Sequence, residues 1–116
     1  MEIIKPSSLE FLKKYLNTSS PTGYEIEGQK IWIEYLKNYV DNFITDSYGT
    51  AVGVINKEAQ FKLVIEAHSD EISWYVNYIT DNGLIYVIRN GGSDHQIAPS
   101  KDVDIHTKKG IVKGVF

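Results

Sequence analysis

Apolar positions along this chain change period near residue 43. Residues 7–41 repeat at helical spacing. Ser7-x-x-Glu10 predicts a capping box, with Leu9, Leu12 and Leu16 sharing one face of the helix behind it. Thr18-Ser19-Ser20-Pro21 breaks that helix, and Thr22-x-x-Glu25 predicts a second capping box. Trp32, Tyr35, Leu36 and Tyr39 then fall at i, i+3, i+4 and i+7, a stripe that a second helix should bury. Gly28 lies one turn earlier and implies close backbone approach, at a cost of about 1 kcal/mol in helix propensity.

From residue 43 the pattern is that of strands. Residues 43–46 and 51–55 flank the turn Ser47-Tyr48-Gly49. Residues 61–67, Phe-Lys-Leu-Val-Ile-Glu-Ala, have the composition of a largely buried central strand. Residues 74–80 and 84–89 flank Asp81-Asn82-Gly83, where Asn-Gly favours a tight hairpin because both residues tolerate positive φ. Residues 103–107 and 111–116 flank Lys108-Lys109-Gly110, a second hairpin. The expected fold class is α/β: two helices on one side of a small mixed sheet, then an antiparallel β unit from about residue 74. The boundary falls at residues 70–73. The chain ends within an apparent strand, which predicts a longer parent sequence and an edge prone to self-association.

Composition narrows the function classes. The 116 residues, 42% of them hydrophobic, suffice for one compact domain or pieces of two. The net charge is −3 and no basic run exceeds two residues, which argues against a nucleic-acid partner. No segment approaches the roughly 20 apolar residues of a membrane span. Residues 1–14 lack the apolar run of a signal peptide, and there is no cysteine, so a cytoplasmic location is expected. Asn17-Thr18-Ser19 matches a glycosylation pattern that has no meaning without secretion.

The densest candidate chemistry is Ala67-His68-Ser69-Asp70-Glu71, directly after the expected central strand. In extended backbone His68 and Asp70 point to the same side. Imidazole is a good metal ligand, and a carboxylate on its other ring nitrogen fixes the tautomer. The spacing alone is better read as a solvated loop histidine, because a zinc site needs at least three protein ligands. His95 and His106 have no helical or strand spacing to His68. The chain has no Gly-x-Ser-x-Gly elbow, no phosphate-binding loop and no Gly-x-Gly-x-x-Gly.

Several segments in order change that weighing. Ser20-Pro21-Thr22-Gly23-Tyr24-Glu25, Asp46-x-x-Gly49, Ala67-His68-Ser69-Asp70-Glu71-Ile72, Gly91-Gly92-Ser93-Asp94-x-Gln96 and Lys109-Gly110-Ile111-Val112-x-Gly114-Val115 together resemble the glutamyl and tetrahedral aminopeptidase family of metallopeptidases. The resemblance implies that residues 1–70 begin a catalytic α/β domain. It implies that residues 71–116 begin a β-rich insertion, barrel or PDZ-like, which serves oligomer assembly. It makes His68 a metal ligand and Asp70 the catalytic acid that orients a metal-bound group, and gives Glu71 no role. Two divalent ions, zinc or cobalt, are implied in the intact enzyme, with the remaining ligands beyond residue 116, so that this chain alone holds none tightly. The implied activity removes N-terminal residues from peptides with a free N-terminus, in a homo-oligomer. The alternative is a non-catalytic binding or assembly module on the same scaffold. Ser69, Thr50 and Ser93 depart from the family's usual residues.

Overall fold

The computed structural model describes residues 4–116. The chain divides into two compact units, Met1–Glu71 and Ile72–Phe116.

The first unit opens with α1, Pro6–Leu16, and α2, Ile26–Leu36. Pro6 sets the first helical φ and needs no N–H partner, so α1 starts one residue before Ser7. The expected Ser7 capping box does not form; Lys5 is the cap, with no side-chain bond. The buried face also differs from the expected one. Leu9, Leu12 and Leu16 are exposed, whereas Ser8, Phe11 and Tyr15 are half-buried. The reason is aromatic: the Phe11 ring stacks on Tyr35 of α2 at 4.0 Å, and the Ser8 and Tyr35 hydroxyls bond at 2.8 Å.

Trp32, Tyr35 and Leu36 are half-buried as the spacing predicts, but Tyr39 lies past the helix and is exposed. The second expected capping box also fails. Glu25 occupies the cap position in helical rather than extended backbone, and its carboxylate accepts from the Gly23 N–H at 2.6 Å. Gly28 is buried, and a Cβ there would stand 2.4 Å from Ser20 Oγ and 3.6 Å from Tyr15.

Strands β1, Asn42–Thr45, and β2, Ala51–Val54, form the expected hairpin, in register from Asn42↔Val54 to Thr45↔Ala51. Asp46 builds its turn. Its Oδ1 accepts the N–H groups of Tyr48 at 2.9 Å and Thr50 at 3.0 Å, and Gly49 takes φ +86°. The Thr50 N–H, above all, holds the Asp46 carboxyl below the usual carboxylate range.

The expected strand at residues 61–67 is not formed. Phe61, Leu63, Val64 and Ile65 are 77–90% exposed, and no strand is assigned there. Strand composition is not enough: a strand needs a neighbour for its N–H and C=O groups. Among the described residues the three sheets are two-stranded, antiparallel and closed on themselves, so the mixed sheet is absent too. One isolated parallel bridge joins Pro21 and Glu71.

The second unit is β throughout, apart from the short 3-10 turn His95–Ile97. β3, Ser73–Ile79, pairs with β4, Ile85–Asn90, with an irregularity between Val76 and Tyr78. Their turn departs from the expected form. Only Gly83 takes positive φ, while Gly83 N–H bonds Thr80 O and Thr80 N–H bonds Leu84 O, both at 2.9 Å. The connection is thus a longer loop with glycine at the left-handed position, and Asn82 stays on the ordinary side. β5, Asp102–Thr107, pairs with β6, Gly110–Val115. Val103 and Ile105 lie on one face, over Gly114. Phe116 adds an edge contact to Trp74 at 4.7 Å and exchanges backbone bonds with Ser100 and Lys101.

No side chain is fully buried among the described residues. None of the described helices is long and apolar enough to cross a membrane.

Two measurements check this packing. Gly28→Ala gains about 1 kcal/mol of helix propensity, but displacing Ser20 costs about 1–3 kcal/mol, so its Tm should fall. Adding Ser20→Ala should recover part of the loss, and a Tm that rises in the single variant refutes the close approach. For Asp46 the folded pKa is depressed. Its contribution is therefore complete above the ordinary carboxylate value of about 3.9 and lost as pH falls through the lower folded value. Asp46→Asn keeps an oxygen for both N–H groups, and the protection of the Tyr48 and Thr50 amides relative to intrinsic exchange should no longer fall in acid. Asp46→Ala should exchange faster at every pH.

Candidate metal site

The segment that follows the exposed residues 61–66 carries His68, Asp70 and Glu71. The loop between α1 and α2 holds it from one side. Glu71 N–H donates to Ser20 O at 2.9 Å, and Ser20 N–H donates to Glu71 Oε1 at 2.7 Å. Ser20 is buried. One turn of loop further on, the Thr22 hydroxyl donates to Asp70 Oδ2 at 2.5 Å.

Asp70 in turn faces His68. His68 Nδ1 lies 2.8 Å from Asp70 Oδ1 and 3.1 Å from Asp70 O. With a proton on Nδ1 the ring donates to both oxygens, and Nε2 carries the lone pair. The His68 side chain is 85% exposed and that of Asp70 33%. The Thr22 hydroxyl first, and the His68 ring second, hold the Asp70 carboxyl below the usual carboxylate range. It is therefore an acceptor at neutral pH.

The donor chemistry fits one part of a metal centre: an outward imidazole nitrogen backed by a carboxylate on the other nitrogen. Asp70 has both oxygens engaged within the chain, and Glu71 has one. No cluster of three His, Cys, Asp or Glu side chains able to hold an ion occurs among the described residues. His95 and His106 belong to the second unit, in the 3-10 turn and in β5.

The structure brings His68 and Asp70 together as their spacing suggests. Two partners escape sequence reading. Thr22 reads as a helix cap, yet its hydroxyl goes to Asp70, 48 positions away. Glu71 reads as a motif residue without a task, yet it fastens the Ser20 loop, 51 positions away. Period and spacing are local signals, and neither reports a contact of that range.

Comparison with known proteins adds an independent line. Residues 49–116 match the family model described as M42 glutamyl aminopeptidase. A lysyl aminopeptidase from Pyrococcus furiosus is 28% identical over 107 residues, which cover 91% of this chain and 31% of that protein. Among solved structures, a TET aminopeptidase from a marine sediment Thaumarchaeota archaeon superposes with a TM-score of 0.86 at 26% identity. The match covers 92% of this chain and 30% of that one. The Pyrococcus horikoshii TET1 peptidase, which can assemble into a tetrahedron or a large octahedral shell, superposes with a TM-score of 0.69 at 28% identity. There the coverage is 92% of this chain and 32% of the other. The chain thus spans about a third of the length of these relatives. With more than half of its residues matched by that family model and its backbone superposing on TET aminopeptidases, the chain belongs to the M42 glutamyl aminopeptidase family.

Proposed function

We propose that this chain supplies the first ligand and its orienting acid to a metal-dependent aminopeptidase, a hydrolase removing N-terminal residues from peptides. The carrying observation is the His68–Asp70 contact at 2.8 Å, which leaves Nε2 of an exposed imidazole free to bind a cation. Zinc and cobalt both suit an imidazole donor. When bound, a pair of such ions would polarise the scissile carbonyl and make water a better nucleophile.

The chain's own residues have narrower tasks. His68 binds through Nε2. Asp70 accepts the Nδ1 proton, fixes the ring plane and raises the basicity of the coordinating nitrogen. As an ionised group it also supplies negative charge beside the cation. The substrate is a peptide with a free N-terminus. In this reading residues 1–70 belong to the catalytic domain, and residues from 71 begin a β-rich insertion, barrel or PDZ-like, through which copies assemble into a homo-oligomer. The assembly named for the Pyrococcus horikoshii relative supports that last point. A cytoplasmic location suits a chain without cysteine.

The test uses the longest reading frame that contains this chain, assayed on aminoacyl-anilides. Hydrolysis should vanish with a chelator and return with zinc or cobalt. His68→Ala should lose metal and activity together. Asp70→Asn should keep the fold but lose roughly 10–100-fold in metal affinity or rate, the usual effect of removing a ligand's hydrogen-bond partner. Chelator-insensitive hydrolysis, or full activity in His68→Ala, would sink the proposal. The 116-residue chain on its own should stay at background, because one imidazole falls short of a zinc centre's three protein ligands.

A further inference from the structure

Asp70 is gripped at both oxygens. Oδ1 meets His68 Nδ1 at 2.8 Å, and Oδ2 accepts the Thr22 hydroxyl at 2.5 Å. The two partners come from different parts of the chain, and they do different things to the carboxylate. A bond from the imidazole alone leaves the carboxylate plane free to turn, because the terminal torsion of Asp is broad and twofold. A second donor on the opposite oxygen removes that freedom.

The hydroxyl is itself well placed. The loop bearing it is not fixed by the helix cap, since the cap residue Glu25 makes no side-chain capping bond to α2. It is fixed by Glu71, whose carboxylate takes the Ser20 N–H at 2.7 Å and whose own N–H reaches Ser20 O at 2.9 Å. The Glu71 N–H to Ser20 O bond is part of the parallel bridge Pro21↔Glu71. The loop and the Asp70-Glu71 segment are thus joined by three hydrogen bonds, two at Ser20 and one at Thr22. Packing cannot do this job for His68, whose side chain is 85% exposed. Hydrogen bonds alone decide which way its ring faces and which nitrogen carries the proton.

We propose that Thr22 is a positioning residue for His68, acting through Asp70. Its hydroxyl fixes the carboxylate so that Oδ1 holds the Nδ1 proton and Nε2 stays bare. Glu71 holds the loop at the height where the hydroxyl reaches Oδ2. This rests on reading His68 as a ligand, but its direct consequence, the ring tautomer, is measurable without any metal.

The experiment is long-range proton–nitrogen NMR of the His68 ring in the 15N-labelled 116-residue chain, with His68→Gln to assign the signals. It is run at a pH where the ring signals no longer change on addition of base. The unaltered chain should show the Nδ1–H form as the main tautomer. Thr22→Val, which keeps shape and removes the hydroxyl, should give a mixture with a several-fold larger Nε2–H share. Thr22→Ser should restore the original spectrum. Glu71→Ala should shift the balance as Thr22→Val does, whereas Glu71→Gln, which keeps an oxygen for the Ser20 N–H, should shift it less. A structural role alone predicts a lower Tm in Thr22→Val with an unchanged tautomer, and that result overturns the proposal. If Thr22→Val does not fold, Thr22→Ala, which adds no volume, is read in the same way. Adding zinc in excess separates the two readings. A His68 Nε2 signal that ignores zinc counts against the ligand assignment and leaves the tautomer result standing. A signal that responds to zinc, with a tautomer indifferent to Thr22, counts against the positioning role alone.

Discussion

The paired bonds between Ser20 and Glu71 are the constraint on which the site depends. They close a stretch of 51 positions. Closing a flexible loop of that length costs about 3.5 kcal/mol before any constant, whereas two hydrogen bonds return about 1 kcal/mol each. They cannot therefore hold the loop shut unaided. The chain between them is not flexible, however. It contains α2 and the β1–β2 hairpin, both formed by local contacts, and the stacked Phe11 and Tyr35 rings tie α1 to α2. Local structure shortens the effective loop, and the bonds then fix its ends. Gly28 belongs to the same arrangement: a Cβ there would stand 2.4 Å from Ser20 Oγ, so the hydroxyl occupies the space that glycine leaves.

Residues 61–66 show the reverse case. Their apolar side chains have strand composition, yet they stand exposed without a ladder. Intrinsic β preference spans only about 1 kcal/mol, and an unpaired exposed backbone keeps its hydrogen bonds to water, so nothing else favours the extended ladder. Composition is therefore overruled by the absence of a paired neighbour among the described residues. The hairpins of both units succeed where this segment fails because each carries its partner strand a few residues away. Their turns reveal the same locality. Gly49, Gly83 and Gly110 each take the left-handed conformation that closes the ladder.

What could be read from the sequence follows that division. Both helices, the β1–β2 hairpin and the two later hairpins are encoded by short-range period and turn chemistry, and they stand where residues 7–41, 43–55, 74–89 and 103–116 suggest. Both capping boxes were misleading, for separate reasons. Pro6 starts α1 without a capping side chain, and the Thr22 hydroxyl spends its proton on the Asp70 carboxylate, a charged acceptor. The Leu9, Leu12 and Leu16 stripe was misleading because aromatic stacking, and not aliphatic area, sets the rotation of α1. The His68–Asp70 pair was legible because period two in extended backbone brings i and i+2 together. Thr22 and Glu71 were not, because their contacts cross about fifty residues.

The order of residues in His68-Ser69-Asp70-Glu71 has a physical logic that spacing alone does not express. Alternation along an extended chain puts 68 and 70 on one side and 71 on the other. The first pair can then meet each other while Glu71 turns to the Ser20 backbone. A one-residue slip against the loop would turn all of them together and carry Asp70 away from the Thr22 hydroxyl. The loop answers with its own spacing. Ser20 meets Glu71 through backbone groups and Thr22 meets Asp70 through its hydroxyl, so the two segments mesh in one register only. An imidazole that exposed could not keep a single orientation by burial. Its Nδ1 meets a carboxylate instead, and that carboxylate meets a loop tied by Ser20 and Glu71 to the same segment.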